Sequence, residues 1–214
     1  MHKTSPKRLY AAYYSIVCFV IAEAFVVDNF LQTGFDLPGW IFRYLTIWGL
    51  WTACIAHAYL ALTRLQQKHS GFLATLSAVS TLNVMVVYLY WRLYFTNPAL
   101  VSDGTSHPIR EYYLHLLGPI LIVIEAIFIS KTFQTRLWLK STMIIMSICV
   151  LYVLWLELYL GPMGRFPYPF LRNMDVNQRL IFYTFAIMVA VIIHGLSWLL
   201  ARVYEAWLDK IQAR

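Results

Sequence analysis

Charge is scarce in this chain. Only 13% of its 214 residues are Asp, Glu, Lys or Arg, about half the share of a typical soluble domain. Breakers are few as well, with nine glycines and eight prolines. A charged, loop-rich soluble enzyme is therefore excluded. Cysteine is limited to Cys18, Cys54 and Cys149. Each lies inside an apolar run, far from the others in sequence, so neither a disulfide framework nor a zinc site is expected. No Gly-x-Ser-x-Gly elbow, phosphate loop or His-Glu-x-x-His pair occurs. No cluster has metal-ligand spacing, and no cofactor is expected.

Apolar surface is abundant: 60% of residues are hydrophobic, and the mean hydropathy is +0.62. The apolar residues fall into six runs: 9–27, 40–62, 72–95, 112–129, 139–160 and 180–200. A spanning helix needs about 20 such residues. The runs are continuous rather than alternating, which argues for helices over strands. The expected fold is an all-α polytopic membrane protein, one transmembrane domain over residues 1–214. Asp28-Asn29 should end the first run, Pro38-Gly39 open the second, and Gly161-Pro162 close the fifth. The first run follows Lys3, Lys7 and Arg8 but has no small-residue cleavage site, so it reads as a retained helix.

The net charge of +7 is a topology signal here, not a nucleic-acid footprint, because the cations sit between and beyond the runs. Of the 17 Lys and Arg residues, eleven fall on the side of the termini and six, among them Arg43 and Arg110, on the other. The positive-inside rule places both termini in the cytosol. Endoplasmic reticulum and plasma membrane both fit. Tyr13, Tyr14, Trp40, Tyr112, Tyr113 and Trp207 crowd the expected boundaries, as aromatic belts do.

Polar residues inside spans carry the most information. Thr46 lies six residues into the second run, ~9 Å along a helix, and His115 three residues into the fourth, ~5 Å. Both runs start from the same side, so the two share a depth. Thr46 shares a stripe with Gly49, Ala53 and His57, and His115 with Gly118, Pro119 and Glu125. Small and polar stripes mark packed faces. A hydroxyl beside an imidazole is the minimum for a base-activated nucleophile. The plainer reading is that Thr46 bonds its own helix, as most membrane threonines do, and that His115 makes an inter-helix bond. Glu111 lies one turn before His115 and could accept from its ring. Arg43 lies one turn before Thr46, where it could meet an anionic headgroup or a substrate carboxylate. His57 should face headgroups. His194 is mid-span and could bridge helices. Glu125 is too far along its helix to orient His115.

Three segments, in order, resemble the androgen-induced protein / androgen-dependent TFPI-regulating protein family. Arg43-Tyr44-Leu45-Thr46-Ile47-Trp48 is similar to its Lys/Arg-aromatic-Leu-Thr opening of the second span. His115 to Glu125, with Pro119 between, looks like its His…Pro…Glu helix. Gly164 followed by Tyr168-Pro169-Phe170-Leu171 resembles its loop before the last span. His115 and Pro119 stand one residue closer together than in the animal members. The resemblance implies a six-span fold and an atypical threonine hydrolase that cleaves fatty-acid esters of hydroxy fatty acids without a cofactor. It implies Thr46 as nucleophile and His115 as base. Arg43 and Tyr168 are the candidate substrate contacts, and Glu111 the candidate orienting group. The expected partner is a lipid drawn from the bilayer. Arg43 or a backbone N–H near Pro169 would have to steady the oxyanion. The alternative is a non-catalytic protein that binds lipid or scaffolds a partner. The two part at Thr46→Ala, which removes chemistry in the first case and only stability in the second. A transporter is disfavoured because no inverted repeat is visible.

Overall fold

The computed structural model describes residues 5–33, 40–68, 71–101 and 107–212. The expected opener Pro38-Gly39 and the terminal charges Lys3 and Arg214 lie outside them. Among the described residues there is no strand. Six helices are long and apolar enough to cross a membrane: α1 (Pro6–Thr33), α2 (Leu45–Leu65), α3 (Leu73–Thr96), α4 (Pro108–Ile129), α5 (Thr135–Leu160) and α6 (Val176–Gln212). The protein is an all-α polytopic membrane bundle.

Helix α3 is the centre, with α2, α4, α5 and α6 packed around it. Its inward positions include Ser77, Ala78, Ser80, Thr81 and Asn83, all buried. Small and polar side chains let neighbouring backbones approach and bond across helices. Gly49 of α2 shows the closeness, since a Cβ there would stand 3.2 Å from Asn83 Oδ1. Asn83 in turn donates to the Gly49 carbonyl at 3.3 Å. Much of the outer surface is apolar, for example Leu158, Ile181 and Ile192, as a lipid-facing bundle requires.

Polar ties join the helices. Arg64 of α2 meets Glu125 of α4 through both carboxylate oxygens, at 2.6 and 2.9 Å. It also donates to Ser15 Oγ of α1 at 2.6 Å and to Ser130 Oγ at 2.9 Å. Glu125 is wholly buried, and a planar guanidinium is the group that can answer both its oxygens. Arg64 therefore serves as a helix tie as well as a flanking cation. His194 of α6 bridges Thr81 Oγ1 of α3 at 2.8 Å and Ser141 Oγ of α5 at 2.9 Å.

The structure corrects several boundaries and one side chain. Helix α1 runs through Asp28 and Asn29 to Thr33. Asn29 Nδ2 donates to the carbonyl of Phe25, one turn back, and Asp28 accepts from Gln32 at 2.5 Å, so both residues are used within the helix. Helix α6 extends to Gln212, well beyond residue 200. Trp40–Arg43 forms a 3-10 turn, and the α-helix starts only at Leu45. Thr46 is thus its second residue, not one well inside it. Helix α4 starts at Pro108, where a missing N–H costs nothing, which puts His115 about two turns in. His57, expected to face headgroups, is buried with the Tyr14 ring edge-on at 6.2 Å.

Candidate active site

A cavity of about 560 Å³ opens where the C-terminal ends of α1 and α3 meet the N-terminal ends of α2, α4 and α6. Its size suits a small lipid or drug-sized ligand. Thr46, His115, Arg43, Glu111 and Tyr168 all line it. The five sequence candidates, spread over more than 120 positions, share one chamber.

Thr46 sits there because of how α2 begins. Threonines inside these helices bond the carbonyl four residues back: Thr52 to Trp48, Thr63 to Tyr59, Thr81 to Ser77. Thr46 would need the carbonyl of Phe42. That carbonyl lies in the preceding 3-10 turn and accepts the Trp48 indole N–H at 2.8 Å. Among the described residues, no group bonds the Thr46 hydroxyl. The self-bonded reading of Thr46 does not hold in this structure.

His115 lies in a π-helical turn, Tyr113–Leu117, and Pro119 accounts for it. Proline has no N–H, and its ring crowds the carbonyl four residues back, which here belongs to His115. The helix widens by one residue, and Gly118 N–H reaches Tyr113 O instead. A Cβ on Gly118 would stand 3.1 Å from that same oxygen. The imidazole is held by stacking on Tyr90, with centroids 3.5 Å apart and planes 5° from parallel. Glu111 Oε2 lies 3.4 Å from His115 Nε2 and accepts the Tyr90 hydroxyl at 2.8 Å. The other nitrogen, Nδ1, is buried with no hydrogen-bond partner among the described residues. A carboxylate at Nε2 favours the tautomer with its proton there, leaving Nδ1 as the basic lone pair.

Arg43 and Arg110 bring positive charge to the same wall. Arg43 lies over the Tyr44 ring at 4.8 Å, and its buried Nε has no partner. Arg110 Nε stands 3.6 Å from Asp28 Oδ2, an ion pair longer than a hydrogen bond, and Arg110 Nη2 donates to Gln32.

Tyr168 reaches the cavity from the loop before α6. Its hydroxyl oxygen accepts the Leu45 N–H at 3.3 Å, so a side chain 123 residues downstream caps the start of α2. Burial pushes its phenol above the ordinary range. The loop is clamped from behind. Arg179 pairs with Glu157 at 2.7 Å, donates to the Met174 carbonyl at 2.7 Å and lies over the Phe166 ring at 4.7 Å. Tyr183 adds a bond to Glu157 at 2.7 Å.

Sequence reasoning missed Tyr90, Trp91, Arg110, Tyr152 and Tyr183. All are aromatic or cationic residues near span ends, a pattern that reads as an interfacial belt. Only Glu111 and His115, at i and i+4, carried a local signal for the buried group. Among the described residues, no cluster of three or more His, Cys, Asp or Glu could hold a metal ion.

The geometry is that of a polytopic membrane protein with a chamber of mixed apolar and polar lining inside one end of its bundle. Its lineage follows from comparison. The model of the family described as FAR-17a/AIG1-like protein matches residues 10–201, and the chain belongs to that family. A UPF0641 membrane protein of Schizosaccharomyces pombe is 27% identical over 116 residues, 52% of each chain. The match thus spans about half the length of that relative. No solved structure matches.

Proposed function

We propose that this chain is an intramembrane lipid ester hydrolase, with Thr46 as nucleophile and His115 as its base. Fatty-acid esters of hydroxy fatty acids, or similar acyl esters, are the proposed substrates. The observation that carries the reading is a pair of free groups: among the described residues no hydrogen bond reaches the Thr46 hydroxyl or the buried His115 Nδ1, and both residues line one cavity. A threonine kept for structure would be satisfied, as Thr52, Thr63 and Thr81 are.

In this mechanism Thr46 Oγ1 attacks the ester carbonyl carbon while His115 takes its proton. The tetrahedral intermediate collapses, its C–O bond breaks, and the leaving alcohol oxygen takes the proton back. Water, deprotonated by His115, then attacks the acyl-Thr46 ester, releasing the fatty acid and restoring the hydroxyl. Glu111 orients the ring through Nε2 during each transfer. Arg43 and Arg110 would answer a carboxylate at the far end of the substrate. The termini are proposed to face the cytosol, on the eleven-to-six distribution of cations.

The test is labelling by a lipophilic fluorophosphonate in wild type, Thr46→Ala and His115→Ala, each checked for folding. Labelling confined to wild type is expected. Equal labelling of all three would remove both residues from the site.

A further inference from the structure

An ester hydrolase must also stabilise the oxyanion that its nucleophile creates, and removing one such donor costs about 100- to 1,000-fold in kcat. We infer that the oxyanion hole of this protein is made by the backbone N–H of Thr46 and the phenol O–H of Tyr168. The inference rests on the hydrolase reading and assigns a role that Arg43 and the backbone near Pro169 were expected to fill.

The first donor comes from the start of α2. An α-helix leaves its first N–H groups without intrahelical acceptors. Here Leu45 N–H goes to Tyr168. Ile47 N–H and Trp48 N–H both fold back to the Tyr44 carbonyl, at 3.0 and 3.4 Å. The N–H of Thr46 has no acceptor among the described residues. It belongs to the same residue as the free hydroxyl. A nucleophile whose own amide points at the developing charge is an arrangement used by serine hydrolases. The positive end of a 21-residue helix adds its field at the same point.

The second donor is placed by the first turn of that helix. The Leu45 N–H occupies one lone pair of Tyr168 Oη and so fixes the oxygen one residue from Thr46. No described carbonyl or carboxylate accepts the phenol proton; the Tyr152 phenol is its hydrogen-bond neighbour, so the proton turns from Tyr152 to the oxyanion as that charge develops. Tyr152, the neighbouring phenol, gives its own proton to the Arg43 carbonyl at 2.8 Å. Burial raises the Tyr168 phenol above its ordinary range, so it stays protonated and able to donate across physiological pH. A ligand site at this point is marked independently by His115: it is only 6% exposed, it lines the same cavity, and its Nδ1 has no partner.

The experiment uses the full chain in lipid nanodiscs with a fluorogenic long-chain acyl ester. Thr46→Ala and Tyr168→Phe are compared with wild type, together with affinity for an acyl trifluoromethyl ketone, which forms a tetrahedral oxyanion on the nucleophile, and for the matching unreactive ether. Tyr168→Phe is expected to lower kcat about 100-fold or more, with KM within about twofold. Ketone affinity should fall and ether affinity hold. Tyr168→Phe keeps the ring against Tyr44 and Phe170; should it fail to fold, 3,5-difluorotyrosine at position 168 replaces it. That more acidic phenol is expected to lose kcat at a lower alkaline pH than wild type. Unchanged kcat in Tyr168→Phe beside an inactive Thr46→Ala would overturn the donor assignment and leave the hydrolase reading standing. So would a fall in kcat with ketone affinity intact, or a difluorotyrosine profile that matches wild type. No hydrolysis by wild type, or full activity in Thr46→Ala, would overturn the hydrolase reading and this inference with it.

Discussion

The indole N–H of Trp91 donates to the carbonyl oxygen of His115 at 2.8 Å. That oxygen is the one Pro119 cannot serve, since it stands four residues before a residue with no N–H. The π-turn that presents the imidazole would otherwise leave a buried acceptor unpaired. Trp91, on the central helix, closes the gap from across the bundle.

Trp91→Phe should therefore unsettle α4 more than the loss of apolar area suggests. An unsatisfied buried acceptor costs about 1–3 kcal/mol. A lower thermal midpoint in detergent, together with reduced fluorophosphonate labelling, is the expected pair of results.

Thr46→Ala and Thr81→Ala should behave as opposites. Among the described residues the Thr46 hydroxyl bonds nothing, so its removal should leave the thermal midpoint near wild type and, on the proposed mechanism, lower ester turnover on the order of 1,000-fold or more. Thr81 bonds His194 inside the bundle. Its alanine variant should lose about 1 kcal/mol and, when folded, still turn over. Turnover and melting measured on the same preparations separate chemistry from structure.

Glu125→Gln should be strongly destabilising. It leaves Arg64, whose side chain is 12% exposed, without its countercharge inside the bundle. Breaking a buried pair from one side costs about 3–5 kcal/mol. Arg64→Leu with Glu125→Leu should recover part of that loss, measured as reversible unfolding in mixed micelles.

Arg179→Leu should act on the loop before the last span. It removes the pair to Glu157 and the bond to the Met174 carbonyl. Tyr168 would then be held less firmly at the start of α2. Faster limited proteolysis within 161–175 is expected, with kcat falling and the bundle still folded.

Gly161→Ala should be poorly tolerated at the same hinge. A Cβ there would lie 2.8 Å from the Glu157 carbonyl oxygen, which is backbone and cannot swing aside. Lower expression and a lower thermal midpoint are the expected readouts.

The sequence determined the architecture, because lipid leaves the chain few choices. Backbone groups in hydrocarbon must pair within their own segment, so six long apolar runs could only become six helices. Polar residues inside those runs were few enough to name, Thr46 and His115 among them, and Glu111 followed from its place one turn before His115. Boundaries were less legible. Asp28 and Asn29 look like terminators, but each finds a partner one turn away within the helix. Trp40–Arg43 is apolar enough to read as helix, yet winds as a 3-10 turn.

Tertiary structure alone decided which polar groups are spent and which are free. Thr46 has the same side chain as Thr52, yet the Phe42 carbonyl is taken by Trp48 and the hydroxyl is released. His57, His115 and His194 look alike along the chain, yet two are packed or bonded within the bundle and one turns to the cavity. Those outcomes depend on donors and acceptors dozens of residues apart: Trp91 for His115, Tyr168 for Leu45, Arg64 for Glu125. Hydropathy records how much polar surface a segment carries. Only packing fixes which bonds that surface completes.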